Sequence, residues 1–256
     1  MKQLNVFLVL CLLLSLSACK KWWGNDDEEN NPYEGMTAQQ LYTDAKKEMA
    51  KEKYTAAIKH LEALESMYPF NDDAEQAELQ LIYAYYQKGD YPSTAATAER
   101  FIHLYPRAKR VDYAYYMKGL ANFQQTRGTL STLVSLDESW RDPGTQSQAY
   151  SDFATLVQRF PESQYKANAL QRMIYLRNSF AKRELNGANY YYEHGMYIAA
   201  AGRASYLLET YPQAPSAQRA LVILYRANRR LGLNKAADDA KRVYEATYHR
   251  KMSNRA

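Results

Sequence analysis

The chain has 256 residues, 46% hydrophobic and 24% charged, a composition that supports a folded core and excludes collagen-like or wholly disordered classes. A formal net charge of +5 is too mild to imply a nucleic-acid partner. The two cysteines, Cys11 and Cys19, both lie near the N-terminus, which excludes a disulfide-framed domain.

Taken in chain order, Lys2 gives a thin positive n-region and residues 6–14 form a short apolar run. That run falls below the roughly 20 residues needed to span a bilayer. Leu16-Ser17-Ala18-Cys19 then supplies small residues around a cysteine, so residues 1–18 read as a signal peptide. The same string resembles the lipobox of bacterial lipoproteins, whose cysteine becomes the acylated first residue; Cys19 is the expected lipid attachment site. Several acyl chains would meet the requirement for stable anchoring, which a single chain does not. Lys20 stands where many lipoproteins retained at the inner membrane carry aspartate. The resemblance therefore implies the outer membrane, periplasmic face.

Residues 19–36 read as a flexible acidic tether, because Asp26, Asp27, Glu28, Glu29, Asn30, Asn31 and Pro32 cannot build a core. Lys20, Lys21, Trp22 and Trp23 suit a membrane–water interface, or belong to a featureless linker.

From residue 37 onward an aromatic–proline pair closes one segment after another: Tyr68-Pro69, Tyr105-Pro106, Phe160-Pro161 and Tyr211-Pro212. Proline disfavours the helical conformation in the residue before it, so each pair predicts a helix stop. Aligned on the proline, Ala57, Thr94, Ala149 and Ala200 recur twelve residues upstream, and Leu64, Phe101, Leu156 and Leu207 five upstream. Tyr54, Tyr91 and Tyr197 recur fifteen upstream, where Gln146 departs. Lys53-Tyr54, Gly89-Asp90, Gly195-Met196 and Gly232-Leu233 mark turns between paired helices. Leu79, Ile82, Tyr83 and Tyr86 share one helical face, as do Tyr113, Tyr116, Met117 and Leu120. Tyr54 and Tyr91 lie 37 residues apart, close to the tetratricopeptide period of about 34.

The expected fold is all-α: a tetratricopeptide-like solenoid of about five helical hairpins. Repeats 1–3 occupy residues 37–163, with an insertion at 124–145; residues 164–256 hold a long helix, about 164–194, and repeats 4–5. That helix links two groups that should behave semi-independently. Of the 24 tyrosines, most are expected in the core and some along a groove suited to an extended aromatic-rich peptide.

The chain lacks a phosphate-binding glycine loop, a nucleophile elbow and a zinc-protease motif. Its four histidines are scattered without metal-ligand spacing, so no cofactor or metal is expected. Glu162-Ser163 resembles the glutamate–serine pair of lytic transglycosylases, but no lysozyme-like domain follows. Ser163 is better placed to cap the long helix, and Ser216 the later one. Residues 219–256 hold ten Lys or Arg against three acids, a solvated face or a contact for an acidic protein or anionic lipid.

Longer strings are more specific. Leu61-Glu62-Ala63-Leu64 running to Tyr68-Pro69-Phe70, Leu81-Ile82-Tyr83-Ala84-Tyr85-Tyr86, Val111-Asp112-Tyr113, Tyr116-Met117-Lys118-Gly119-Leu120, Arg141-Asp142-Pro143 and the stretches 153–161 and 195–203 resemble the BamD family of outer-membrane assembly lipoproteins. The Trp-Trp segment and acidic tether depart from that pattern. The resemblance implies a non-enzymatic scaffold of the β-barrel assembly complex, docked on BamA through its C-terminal half beside other Bam lipoproteins. It also implies that the N-terminal groove receives the signal strand of unfolded barrel proteins. By position, Arg203 matches a family arginine at the BamA contact, and Tyr54, Tyr68, Phe70 and Asn71 mark the substrate groove. The competing reading is a periplasmic repeat lipoprotein that coordinates cell-wall synthesis or division.

Overall fold

The computed structural model describes residues 31–127 and 144–252. Among them are ten α-helices and no strand: α1 (Ala38–Ala50), α2 (Tyr54–Met67), α3 (Ala74–Lys88), α4 (Tyr91–Leu104), α5 (Val111–Arg127), α6 (Gly144–Arg159), α7 (Lys166–Glu193), α8 (Tyr197–Thr210), α9 (Ala217–Arg230) and α10 (Asn234–Tyr248). Each helix packs on its neighbour in the chain, while α3 also meets α5 and α7 also meets α9. This is the stacking of a helical-hairpin array.

Each aromatic–proline pair ends a helix. Tyr68, Tyr105 and Tyr211 sit at φ −137°, −124° and −128° with ψ between 51° and 57°, the departure from helix that a following proline favours. The N–H groups of Tyr68, Tyr105, Phe160 and Tyr211 donate to the carbonyls of Leu64, Phe101, Leu156 and Leu207 at 2.8–2.9 Å. Those four acceptors carry buried side chains, and the recurring Ala57, Thr94, Ala149 and Ala200 are all 0% exposed. The repeat therefore marks positions where one helix crosses its neighbours too closely for a larger residue. The recurring tyrosines pack on an earlier helix end in two repeats: Tyr91 on Tyr86 at 5.6 Å and Tyr197 on Tyr192 at 5.5 Å between centroids.

Gly89, Gly195 and Gly232 adopt φ of +80°, +74° and +75°, and Glu52 fills the same role at +57°. The left-handed turn between paired helices is thus shared even where glycine is absent.

Three expectations are corrected. Ser163 sits ahead of the cap position: its Oγ accepts from the Tyr165 N–H at 3.2 Å and its hydroxyl donates to Asp112 Oδ2 at 2.7 Å, closing the turn before α7, and the helix itself starts behind Tyr165 without a side-chain cap. Ser216 occupies an N-cap position with an α-helical backbone and makes no cap bond. Residues 31–36, read as tether, instead lie against α2. Tyr33 meets His60 edge-on at 5.2 Å, and Met36 packs on the first core; these two apolar side chains find cover despite their polar surroundings. Of the insertion at 124–145, residues 124–127 continue α5 and 144–145 begin α6. The remainder, 128–143, lies outside the described residues, as do the signal peptide, Cys19 and residues 20–30 of the tether.

The buried side chains form separate clusters. One spans α1–α3, and a larger one runs from Leu79 to Leu176. A third begins at Ala181 and continues through Ala227. The division between the last two therefore falls within α7. Phe180 bridges it, with its ring 6.2 Å from Tyr150 and 6.3 Å from Tyr211.

Candidate binding site

A pocket of about 420 Å³ opens where the end of α2, the following turn, α3 and the end of α4 meet. Its apolar walls include Leu64, Leu81 and Tyr105. Phe70 at its edge is 98% exposed and Leu104 60%, so two large apolar side chains stand uncovered at one opening. Asn71 shapes this turn. Its amide group donates to the Tyr68 carbonyl, while its Oδ1 accepts from the Asp73 N–H at 2.8 Å.

The four residues expected at the groove have different placements. Phe70 and Asn71 line the pocket together. Tyr68 lies at the base of the same turn, where its hydroxyl donates to the Met36 carbonyl at 2.8 Å and fastens the N-terminal segment. Tyr54 begins α2, about 20 Å along the helix from Tyr68 at 1.5 Å per residue. Its ring meets Tyr83 edge-on at 6.2 Å, so it does not join the pocket.

Sequence reasoning missed the charged cluster beside the pocket, which α2, α3 and α4 build together. Glu65 and Glu78 line the pocket, and Arg100 from α4 joins them. Its Nη atoms reach both Glu65 oxygens at 2.7 Å, and its Nε donates to Glu78 Oε1 at 2.7 Å. Burial raises the Glu78 pKa against the pull of Arg100. Burial also raises that of Tyr105, with Glu78, Glu75 and Glu65 adding to the effect. These contacts join residues 22 and 35 positions apart, and no local motif announces them.

In the rear half, Arg203 on α8 donates from Nη1 to Glu184 Oε2 on α7 at 2.9 Å. The bond and charge of Glu184 hold the guanidinium pKa above its ordinary value. Its side chain remains 51% exposed, leaving surface for a second acceptor. A groove of about 740 Å³ lies between α8, α9 and α10, floored by Leu221 and Leu224; Arg203 does not line it. Neighbouring Arg229 pairs with Asp238 at 2.6 Å.

Glu162 is exposed in a turn, while the Ser163 hydroxyl is engaged by Asp112. Among the described residues no three His, Cys, Asp or Glu groups gather as a metal site. No described helix is long and apolar enough to cross a membrane.

The YfiO outer membrane lipoprotein family matches residues 34–243. An outer membrane protein assembly factor BamD from Neisseria meningitidis serogroup A is 37% identical over 244 residues, covering 95% of this chain and 91% of its own length. A protein of the same name from Vibrio cholerae is 38% identical, covering 80% and 86% respectively. A solved tetratricopeptide repeat protein from Parabacteroides merdae covers 86% of this chain and 82% of its own at 13% identity; the TM-score of 0.38 is too distant to bear on the architecture. From residue 34 to 243, across both the front pocket and Arg203, the chain belongs to the YfiO/BamD family of outer membrane lipoproteins.

Proposed function

We propose that this protein is an adaptor of outer-membrane β-barrel assembly that grips the insertase with its rear half and an unfolded barrel strand with its front half. The role comes from its relatives' name, outer membrane protein assembly factor, and the chain is not an enzyme. The observation that carries the strand-binding part is the apolar front pocket with Phe70 exposed at its edge. An extended strand seated there would cover apolar surface that the folded chain leaves in water. Lipid on Cys19 would tether the protein to the periplasmic face of the outer membrane.

Docking on BamA through Arg203 would bring the captured strand to the insertase. Tethering raises effective concentration without any new contact. A guanidinium suits a bidentate carboxylate partner better than a lysine ammonium does, and half of the Arg203 side chain is open to receive one. Other Bam lipoproteins would bind alongside.

The test is retention of BamA's periplasmic domains on the immobilised protein. Arg203→Glu should release them while the far-ultraviolet circular dichroism stays helical. Glu184→Gln removes the internal pair but keeps the guanidinium, and should retain binding. Undiminished binding by Arg203→Glu would overturn the assignment of that contact.

A further inference from the structure

The chain ahead of α1 is tied to the turn that carries Phe70. Residues 31–36 fold into two consecutive turns, in which the Glu34 N–H donates to the Asn31 carbonyl at 2.9 Å and the Met36 N–H to the Tyr33 carbonyl at 3.1 Å. Gly35 takes φ +78° just before the capping box of Thr37 and Gln40 that starts α1, so the segment can swing away without unwinding that helix. Its hold on the body of the protein is narrow. The half-buried side chains of Tyr33 and Met36 rest on the first core, with Tyr33 edge-on to His60. The Met36 carbonyl accepts from the Tyr68 hydroxyl at 2.8 Å, and Asn31 Nδ2 makes a longer contact to Met67 Sδ at 3.8 Å. A segment held by so few contacts opens at much lower free energy than the whole molecule.

We propose that residues 31–36 are a releasable strap that braces the Phe70 turn, so that the N-terminal arm governs the edge of the front pocket. The link is a relay of hydrogen bonds. The Tyr68 hydroxyl holds the strap, the Tyr68 carbonyl accepts from the side-chain amide of Asn71, and Asn71 Oδ1 accepts from the Asp73 N–H at 2.8 Å. This turn supplies Pro69, Phe70, Asn71 and Ala74 to the pocket. With the strap docked, Tyr68 is fixed at both its hydroxyl and its carbonyl. With the strap released, the ring loses the bond that orients it and the turn loosens with it. Phe70, at 98% exposed, has little packing of its own and follows the turn backbone. Coupling between two sites is reciprocal: a load on the N-terminal arm loosens the Phe70 turn, and an occupant that fixes that turn secures the strap. This holds whatever the pocket accepts.

Hydrogen exchange read by mass spectrometry on the full-length protein tests this, with the strap followed as segment 31–37 and the turn as segment 68–75. Tyr33→Ala removes an apolar foot of the strap and leaves the turn untouched; Tyr68→Phe keeps the ring and deletes only the hydroxyl. Each variant should speed exchange in both segments by about fivefold, the effect of losing one contact of ordinary hydrogen-bond strength, while α9 and α10 stay as in the wild type. The double variant decides whether the relay carries the effect. Once Tyr68→Phe has cut the link, adding Tyr33→Ala should speed the strap further and leave the turn no faster than in Tyr68→Phe alone. A strap that opens in Tyr33→Ala while the turn exchanges as in the wild type overturns the proposal. So does a Tyr33→Ala effect on the turn that persists in full without the Tyr68 hydroxyl, or a strap unmoved by either change.

Discussion

At the scale of single residues, a buried polar group and a half-buried one have opposite consequences. Gln146 stands where three other repeats place tyrosine. It is 1% exposed, and neither its Oε1 nor its Nε2 has a partner among the described residues. A buried amide left unbonded costs about 1–3 kcal/mol, so Gln146→Met should raise stability by about 1 kcal/mol in a urea melt; a lower midpoint would show that the amide is satisfied. Lys118 is the reverse case. Its ammonium pairs with Glu99 and lies 3.2 Å from Asp152, which is 5% exposed. Removing one partner of a buried pair costs about 3–5 kcal/mol; with Glu99 43% exposed, the screened estimate for Lys118→Met is about 2 kcal/mol. The Lys118 hydrogen bond lowers the Glu99 pKa despite burial. Its contribution is therefore full above the unfolded carboxylate value, near 4.3 in model peptides, and fades as pH falls through the lower folded value. The gap between wild type and Lys118→Met should accordingly shrink in acid.

At the scale of helices, one substitution has opposite signs in two places. A Cβ on Gly119 would come within 2.7 Å of Phe153 Cε1, whereas one on Gly187 would meet nothing within 4 Å. Gly119→Ala should destabilise by about 1–3 kcal/mol through overpacking, and Gly187→Ala should stabilise by about 1 kcal/mol through helix propensity. Thermal melts of the two variants shifting in the same direction would contradict this packing. The helices and their ends were legible because proline acts on its immediate neighbour and the small buried positions recur in register. The caps were less so. Ser163 reads as an N-cap from local sequence, but its Oγ accepts from the Tyr165 N–H in the turn before α7, and its hydroxyl donates to Asp112, 51 residues away. The capping box of Thr37 and Gln40 was readable from its spacing and was missed.

At the scale of the molecule, the two large buried clusters meet inside α7, with Phe180 touching aromatic rings on both sides. Stability in such arrays is close to a sum of units and interfaces. Phe180→Ala should therefore separate the unfolding of the halves, seen as hydrogen exchange in α9 and α10 released before that in α4 and α5; a single unchanged transition would show tighter coupling. The candidate site was half legible for the same reason that the array is modular. Phe70 and Asn71 lie in a turn beside a proline, but Glu78, Arg100, Leu104 and Tyr105 reach the pocket only when a second hairpin stacks on the first. The central functional claim is tested most directly by capturing the lipidated protein from its own cell envelope in mild detergent and identifying the co-purifying proteins by mass. Recovery of a large barrel protein with tandem periplasmic domains is the predicted result. Recovery of wall synthases or division proteins without that barrel would contradict the assembly role.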